Sequence, residues 1–290
     1  MISVVACGET DNDKDEKNCD NGHTFKDGVC TVCGEKEEAD EKNCDNGHTF
    51  VDGVCTVCGT KENTGDPNSK SEGTMTYEEY IAAELDSEVV IEAFVQAKQG
   101  WWDDKATIYL QDGTGGYLAY NAACSEELYD KLTIGTKVKV TGTKAEWKGL
   151  VELAEGAAIE IIDGDTYIAP VTDVTALLGT EELIGKQNMK IAVKGLTVAA
   201  KTIKGSDTEY AFLYNWDGSG TEGSDSDLYF DLTDGENTYT FVIEYYLTNE
   251  NTDAYKAVQA LKVGDIVDIE GFLYWYEGPQ AHVTSVKVVE

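Results

Sequence analysis

Two stretches carry residues whose types and spacing could hold a metal ion. Cys19, His23, Cys30 and Cys33 stand in NCDNGHTFKDGVCTVCG (18–34), and Cys44, His48, Cys55 and Cys58 stand in NCDNGHTFVDGVCTVCG (43–59). The register is constant, so each copy reads C-x3-H-x6-C-x2-C. Three thiolates and one imidazole form a closed tetrahedral set for zinc, and four protein ligands leave no open coordination position. The ion expected is therefore structural, one per repeat. Asp27-Gly28 and Asp52-Gly53 are hairpin turn signals between the His arm and the Cys-x-x-Cys arm. A disulfide in each repeat is the competing chemistry, and it would leave one thiol over in every copy.

These repeats resemble short zinc-ribbon or zinc-knuckle units. A further cysteine stands in Met1-Ile2-Ser3-Val4-Val5-Ala6-Cys7-Gly8. The V-V-A-C run resembles the lipobox of a bacterial lipoprotein, in which Cys7 becomes the lipidated N-terminus. That resemblance implies a secreted protein on the outer face of a bacterial membrane. The other reading is an ordinary cysteine in a short disordered start. The acidic, apolar-poor stretch that follows, up to residue 18, suits a tether.

Charge narrows the possible partners. The 290 residues include 55 acidic side chains against 22 basic ones, a net charge of −33, and every basic residue is Lys. The deficit is spread along the chain: residues 1–74 carry −10, residues 75–163 carry −10 and residues 164–290 carry −13. Phosphate and nucleic-acid recognition relies on basic faces and bidentate Arg, so nucleic acid is disfavoured as a partner. No run of about 20 apolar residues crosses a membrane as a helix.

Residues 60–74 (TKENTGDPNSKSEGT) read as a disordered linker. Beyond it the pattern becomes that of a folded domain. Thr76 and Glu79 form a capping box, with Tyr80, Ile81 and Leu85 on one side of a short helix. Val89, Ile91, Ala93 and Val95 alternate as a strand does. Strands are expected at 106–110, 116–120, 137–142 and 150–162, with a Ser-capped helix at 125–132. The order β-β-β-α-β-β is that of the OB-fold, a small Greek-key barrel. Leu132 to Gly142 is echoed at Leu261 to Gly271, and the same shift pairs Trp147 with Tyr276 and Gly149 with Gly278. In the second copy the first strand is expected at 188–198. The second runs from 210–214 into 228–232 across a loop, the third is 239–243 and the helix is 252–261. Residues 76–290 thus resemble tandem OB-fold surface lipoproteins. The fold expected is mainly β: two tandem OB-fold-like five-stranded barrels, at 75–163 and 164–290, behind the two zinc-ribbon-like hairpins. A pair of short β-sandwiches is the alternative.

An OB-fold binds ligands on strands two and three, between the β1–β2 and β4–β5 loops. The aromatic residues falling there are Trp101, Trp102, Tyr109, Tyr117, Tyr120 and Trp147 in the first barrel. Trp216, Tyr274, Trp275 and Tyr276 are their counterparts in the second. Such rings stack on sugars or bases, or else fill the cores. The acidic loop 217–227 lacks EF-hand spacing and reads as a solvated insertion rather than a calcium site. Cys124 reads as a small buried hydrophobe, and His282, in the last strand, as a packed or surface residue. No nucleophile–base set, P-loop or Gly-rich dinucleotide motif is present, and the acids are too scattered to name a carboxylate pair. The expected function is non-enzymatic binding of a glycan or protein partner. Single-stranded nucleic-acid binding and an accessory role to a secreted nuclease or glycosidase are the alternatives.

Overall fold

A computed structural model describes residues 25–26, 29–30, 50–51, 53–56, 59 and 61–289. Two compact units divide at residue 61. In the first, β1 (Phe25–Lys26) pairs antiparallel with β2 (Val29–Cys30), and β3 (Phe50–Val51) pairs with β4 (Val54–Cys55) in the same register. Both repeats therefore form the expected hairpin. Gly53 takes a φ of +72° at the turn, a conformation that Gly adopts at no steric cost. Cys55 is buried. The other seven side chains expected to hold zinc lie outside the described side chains.

The second unit holds both barrels. In the first barrel, α1 (Tyr77–Ala82) is followed by β5 (Glu88–Lys98), β6 (Lys105–Gln111), β7 (Gly116–Ala123) and α2 (Glu126–Lys131). Then come β8 (Lys137–Trp147), β9 (Leu150–Leu153) and β10 (Ala158–Ile161). β5, β6 and β7 form an antiparallel meander, β8 returns beside β5, and β9 and β10 pair with β8. Parallel pairings of Ala119 with Leu153 and of Ala123 with Ala158 close the barrel. The fifth strand is thus one strand broken at residues 154–157. Val89, Ile91, Ala93 and Val95 all point into the core, as their alternation requires. The Thr76 capping box is formed, and Ser125 caps α2. Of the expected α1 face only Tyr80 is buried; Ile81 and Leu85 are exposed, because the helix stops at Ala82 after one apolar contact.

Residues 62–74 are not a free linker. Lys70 Nζ donates to Asp112 Oδ2 at 2.7 Å and to the Glu92 carbonyl, and Ser71 N donates to Glu92 Oε2 at 3.0 Å. Thr64 N donates to the Thr166 carbonyl at 2.8 Å. The segment straps the outer face of β5, which is why Glu92 and Phe94 are as buried as the inward residues.

The second barrel begins with β11 (Thr172–Asp173) and two 3-10 turns. These lead to β12 (Lys190–Ala199), the hairpin β13 (Lys201–Thr202) and β14 (Glu209–Tyr210), and β15 (Phe212–Tyr214). β16 (Leu228–Thr233), β17 (Thr238–Ile243), α3 (Asp253–Ala260), β18 (Ile266–Phe272) and β19 (His282–Val289) complete it. The five barrel strands are β12, β16, β17, β18 and β19, closed by a parallel bridge between Val242 and His282. The expected second strand is split differently. β15 does not continue into β16 but turns back to pair antiparallel with it, Phe212 against Phe230, as an added edge strand. With this exception the molecule is the expected pair of tandem five-stranded OB-fold-like barrels.

The barrels share a third core. Tyr109, Leu118 and Leu150 of the first pack against Phe272 of the second, with Leu247, Tyr274 and Trp275 at the edge. Gln187 spans the seam, accepting from Val151 N at 3.0 Å and donating to the Gly149 carbonyl at 2.6 Å. Lys190 N donates to Gln111 Oε1 at 2.8 Å. Gly116 sits where the backbone of Asn188 crosses it, and a Cβ there would run into that backbone. The tips related by the internal repeat also meet: Lys148 pairs with Glu277, and Glu277 N donates to the Lys148 carbonyl at 2.8 Å.

Candidate ligand-binding cleft

Alternation along β6 and β7 sends Ile108, Leu110, Tyr117 and Ala119 inward, so Thr107, Tyr109, Leu118 and Tyr120 face out. In β16 the same rule buries Leu228, Phe230 and Leu232 in the core and turns Tyr229 outward. These two outer faces, the OB-fold ligand faces, look towards one another. Between them lies a cavity of about 660 Å³, within the range of small-ligand pockets.

Three loops complete its walls. The β5–β6 loop brings Gln99, Gly100 and Trp102, and is fixed to the second barrel by a hydrogen bond from Gly100 N to the Tyr246 carbonyl at 2.8 Å. The β8–β9 tip brings Trp147. The β18–β19 connection brings Tyr274, Tyr276 and Gln280. Trp102, Tyr120, Trp147, Tyr246 and Tyr276 are exposed along the rim, whereas Tyr229 and Tyr274 are half-buried and Tyr109 is fully buried.

The polar groups of the floor come from the closing seam of the second barrel. His282, the first residue of β19, stacks on Tyr274 with ring centroids 4.1 Å apart. Its Nδ1 lies 2.6 Å from Tyr109 Oη. Burial pushes the imidazole down to about 3, so the ring is neutral at ordinary pH. Glu244 follows β17. Its Oε2 accepts from Gln99 Nε2 at 2.9 Å and from Leu247 N at 2.8 Å. Burial, and then the charge of Asp227, push its carboxyl up to about 7. Asp227, the last residue of the acidic loop, accepts from Tyr245 N at 2.9 Å and is raised by burial. The cleft is thus lined by the rings of eight Tyr and Trp side chains, two carboxyl groups and the neutral His282, and none of its lining residues is Lys or Arg.

Of the ten aromatic residues expected to face a ligand, six line this cleft: Trp102, Tyr109, Tyr120, Trp147, Tyr274 and Tyr276. The other four do not. Trp101 turns away and donates its indole N–H to the Cys124 carbonyl at 2.7 Å. Tyr117 points into the first barrel and donates to Asp112 Oδ2 at 2.7 Å, because its place in β7 is an inward one. Trp216 is exposed on the β15–β16 loop. Trp275 packs against both the shared core and the second barrel, and lines a different groove with Tyr239 and Pro279.

Asp227, Tyr229, Glu244 and Tyr246 were not legible as site residues. Asp227 reads as part of a solvated loop, and Glu244 as one acid among many. The single signal pointing to Tyr229 is its outward register on strand two. Cys124 is buried, as expected.

No protein-family model matches the chain, and no curated protein matches it. Among solved structures the chain is similar to an aspartyl-tRNA synthetase from Entamoeba histolytica, at 20% identity, covering 39% of this chain and 27% of that one, with a TM-score of 0.27. It is similar to a murine DNA-binding protein bound with double-stranded DNA, at 11% identity over 70% and 99% of the two chains, TM-score 0.31. A third is the p204 HINb domain, at 10% identity over 68% and 95%, TM-score 0.30. The chain spans about a quarter of the length of the two aspartyl-tRNA synthetases it matches.

Proposed function

We propose that this chain is a non-enzymatic binding protein that holds a glycan in the cleft between its two barrels. One observation carries the reading: the two OB-fold ligand faces converge on a single pocket of aromatic rings and hydrogen-bonding side chains. Flat rings such as Trp102, Trp147 and Tyr276 stack on the apolar faces of pyranoses. Asn121, Gln280, Thr107 and the carboxyl groups of Asp227 and Glu244 can bond to ring hydroxyls.

The aromatic platform on strands two and three also favours a second reading, single-stranded nucleic acid, since bases stack on such rings. Against it, a phosphate entering the cleft would meet Asp227 and Glu244 and no cation among the lining residues. One experiment decides between them. The full chain is titrated with neutral and charged oligosaccharides and with single-stranded DNA at low salt. Saccharide binding should weaken at least about tenfold in Trp102→Ala and Trp147→Ala, the loss expected of one stacked ring. Tight, salt-sensitive binding of DNA would replace the glycan with nucleic acid, and recovery of shortened saccharides would make the chain a hydrolase.

The repeats at 19–34 and 43–59 serve as zinc-stabilised spacers, which metal analysis of anaerobically purified protein tests. Lipidation of Cys7 holds the whole on the outer face of a bacterial membrane. Recovery of unlipidated native protein from the cytosol would reject that location.

A further inference from the structure

The cleft is chemically one-sided. Its wall and floor rings present negative π faces, its two ionisable carboxyls are both acids, and its single histidine is neutral. Asp227 and Glu244 continue the paired ends of β16 and β17, where Leu228 stands opposite Ile243, and the charge of Asp227 resists ionisation of Glu244. Among the described residues neither is paired with a Lys. The lysines near the rim are already engaged: Lys148 pairs with Glu277 and lies over the Tyr276 ring, and Lys105 pairs with Glu155 and lies over the Trp102 ring. His282 is more than nine-tenths buried; its ring is held through Nδ1 by Tyr109 and lines the cavity.

From these placements we infer that the ligand is an amine-bearing sugar whose ammonium group sits between Asp227 and Glu244 beneath the tyrosine rings, with a neighbouring hydroxyl bonded to His282 Nε2. The inference rests on the glycan reading of the same cleft. An ammonium is the group that satisfies both wall types at once. It makes cation–π contact with Tyr229 and Tyr274 and relieves the repulsion between two half-buried acids. A neutral sugar leaves that repulsion in place, and an acidic one adds to it. A lysine-bearing peptide offers the same cation, but its flexible stem does not use the Asn121 and Gln280 amides that the cleft sets around a polar ring.

The test compares four probes on the full chain by calorimetry at about pH 6.5, where a Lys amine is fully protonated and a sugar amine is still protonated in large part. They are a glucosamine tetramer, its fully N-acetylated counterpart, a glucose tetramer and tetralysine. The glucosamine tetramer should bind at least about tenfold tighter than either neutral sugar, the gap a charge-assisted hydrogen bond supplies. That gap should close in Asp227→Asn, Glu244→Gln protein, whose folding is checked by its circular dichroism spectrum and a cooperative thermal melt. Equal affinity for all three sugars overturns the amine while leaving the glycan reading intact. Tetralysine binding without any sugar binding overturns both in favour of a peptide, and silence from all four probes overturns both outright. Retention of the gap in the double variant would place the amine elsewhere and reject the site.

Discussion

Three titratable side chains near the cleft are held far from their ordinary states, and they pull stability in opposite directions. Burial raises Glu152 to about 7, and burial with the charge of Asp227 raises Glu244 to about 7. A carboxyl raised on folding binds its proton more tightly in the native state. Its contribution is therefore complete below about pH 4.5 and lost as the pH climbs to about 7. His282 works the other way, because burial lowers it to about 3. Its neutral form is required natively, so stability falls as the pH drops from about 6.5 towards 3. The expected outcome is a stability maximum on the acid side of neutrality. In Glu152→Gln, Glu244→Gln protein the decline towards neutral pH should vanish. Its melting temperature, compared with the wild type's, should rise by a few degrees between about pH 5 and pH 8. Parallel melting curves for the two proteins across that range would contradict the burial of these carboxyls.

At the scale of single elements, the strap 62–74 makes the sharpest prediction. Asp112 is fully buried, and its two oxygens accept from Lys70, Thr114, Gly115 and Tyr117. Burial pushes its carboxyl up, but Lys70 and the Thr114 bonds outweigh that and hold it below its ordinary value. Lys70→Met keeps the stem and removes the charge, leaving Asp112 buried without its counter-ion. Such losses cost about 3–5 kcal/mol, to be read from urea denaturation at neutral pH, and Asp112→Asn in the same protein should restore part of it. The strap also shows what local composition conceals. Its Gly, Pro, Ser and charges carry no period, so nothing in 62–74 announces that Lys70 reaches an acid 42 positions away. Strands and helices were legible because alternation and capping are local: Val89 to Val95, Thr76 with Glu79, and Ser125 all behave as their spacing requires. β15 was misplaced because an edge strand and a barrel strand alternate alike, and only the register with Phe230 separates them. The aromatic half of the cleft could be read from loop positions in the OB order. Its acidic half could not, since Asp227 and Glu244 become neighbours only when β16 and β17 pair.

For the molecule as a whole, the decisive feature is that the second barrel covers part of the first barrel's ligand face. Tyr109, Leu118 and Leu150 belong to the shared core and would be exposed in an isolated first barrel. Gly116 sets the spacing of that contact. Gly116→Val should force the Asn188 crossing outward at a cost of about 1–3 kcal/mol. It should also weaken ligand binding, although residue 116 does not line the cleft. Destabilisation with unchanged affinity would separate the shared core from the site.

The welded seam beneath the cleft has a consequence for how a ligand arrives. Gln187, Gly116 and the tip pairing of Lys148 with Glu277 leave the walls no hinge on which to close. The pocket is preorganised: its rings stand in place before anything binds, so little ordering entropy is lost on association. Arrival should then be a single bimolecular step, its rate rising linearly with ligand concentration and never levelling off into a slower closure. The energy gained should appear undiminished as thermal protection, about 2.7 kcal/mol when free ligand reaches a hundred times its dissociation constant.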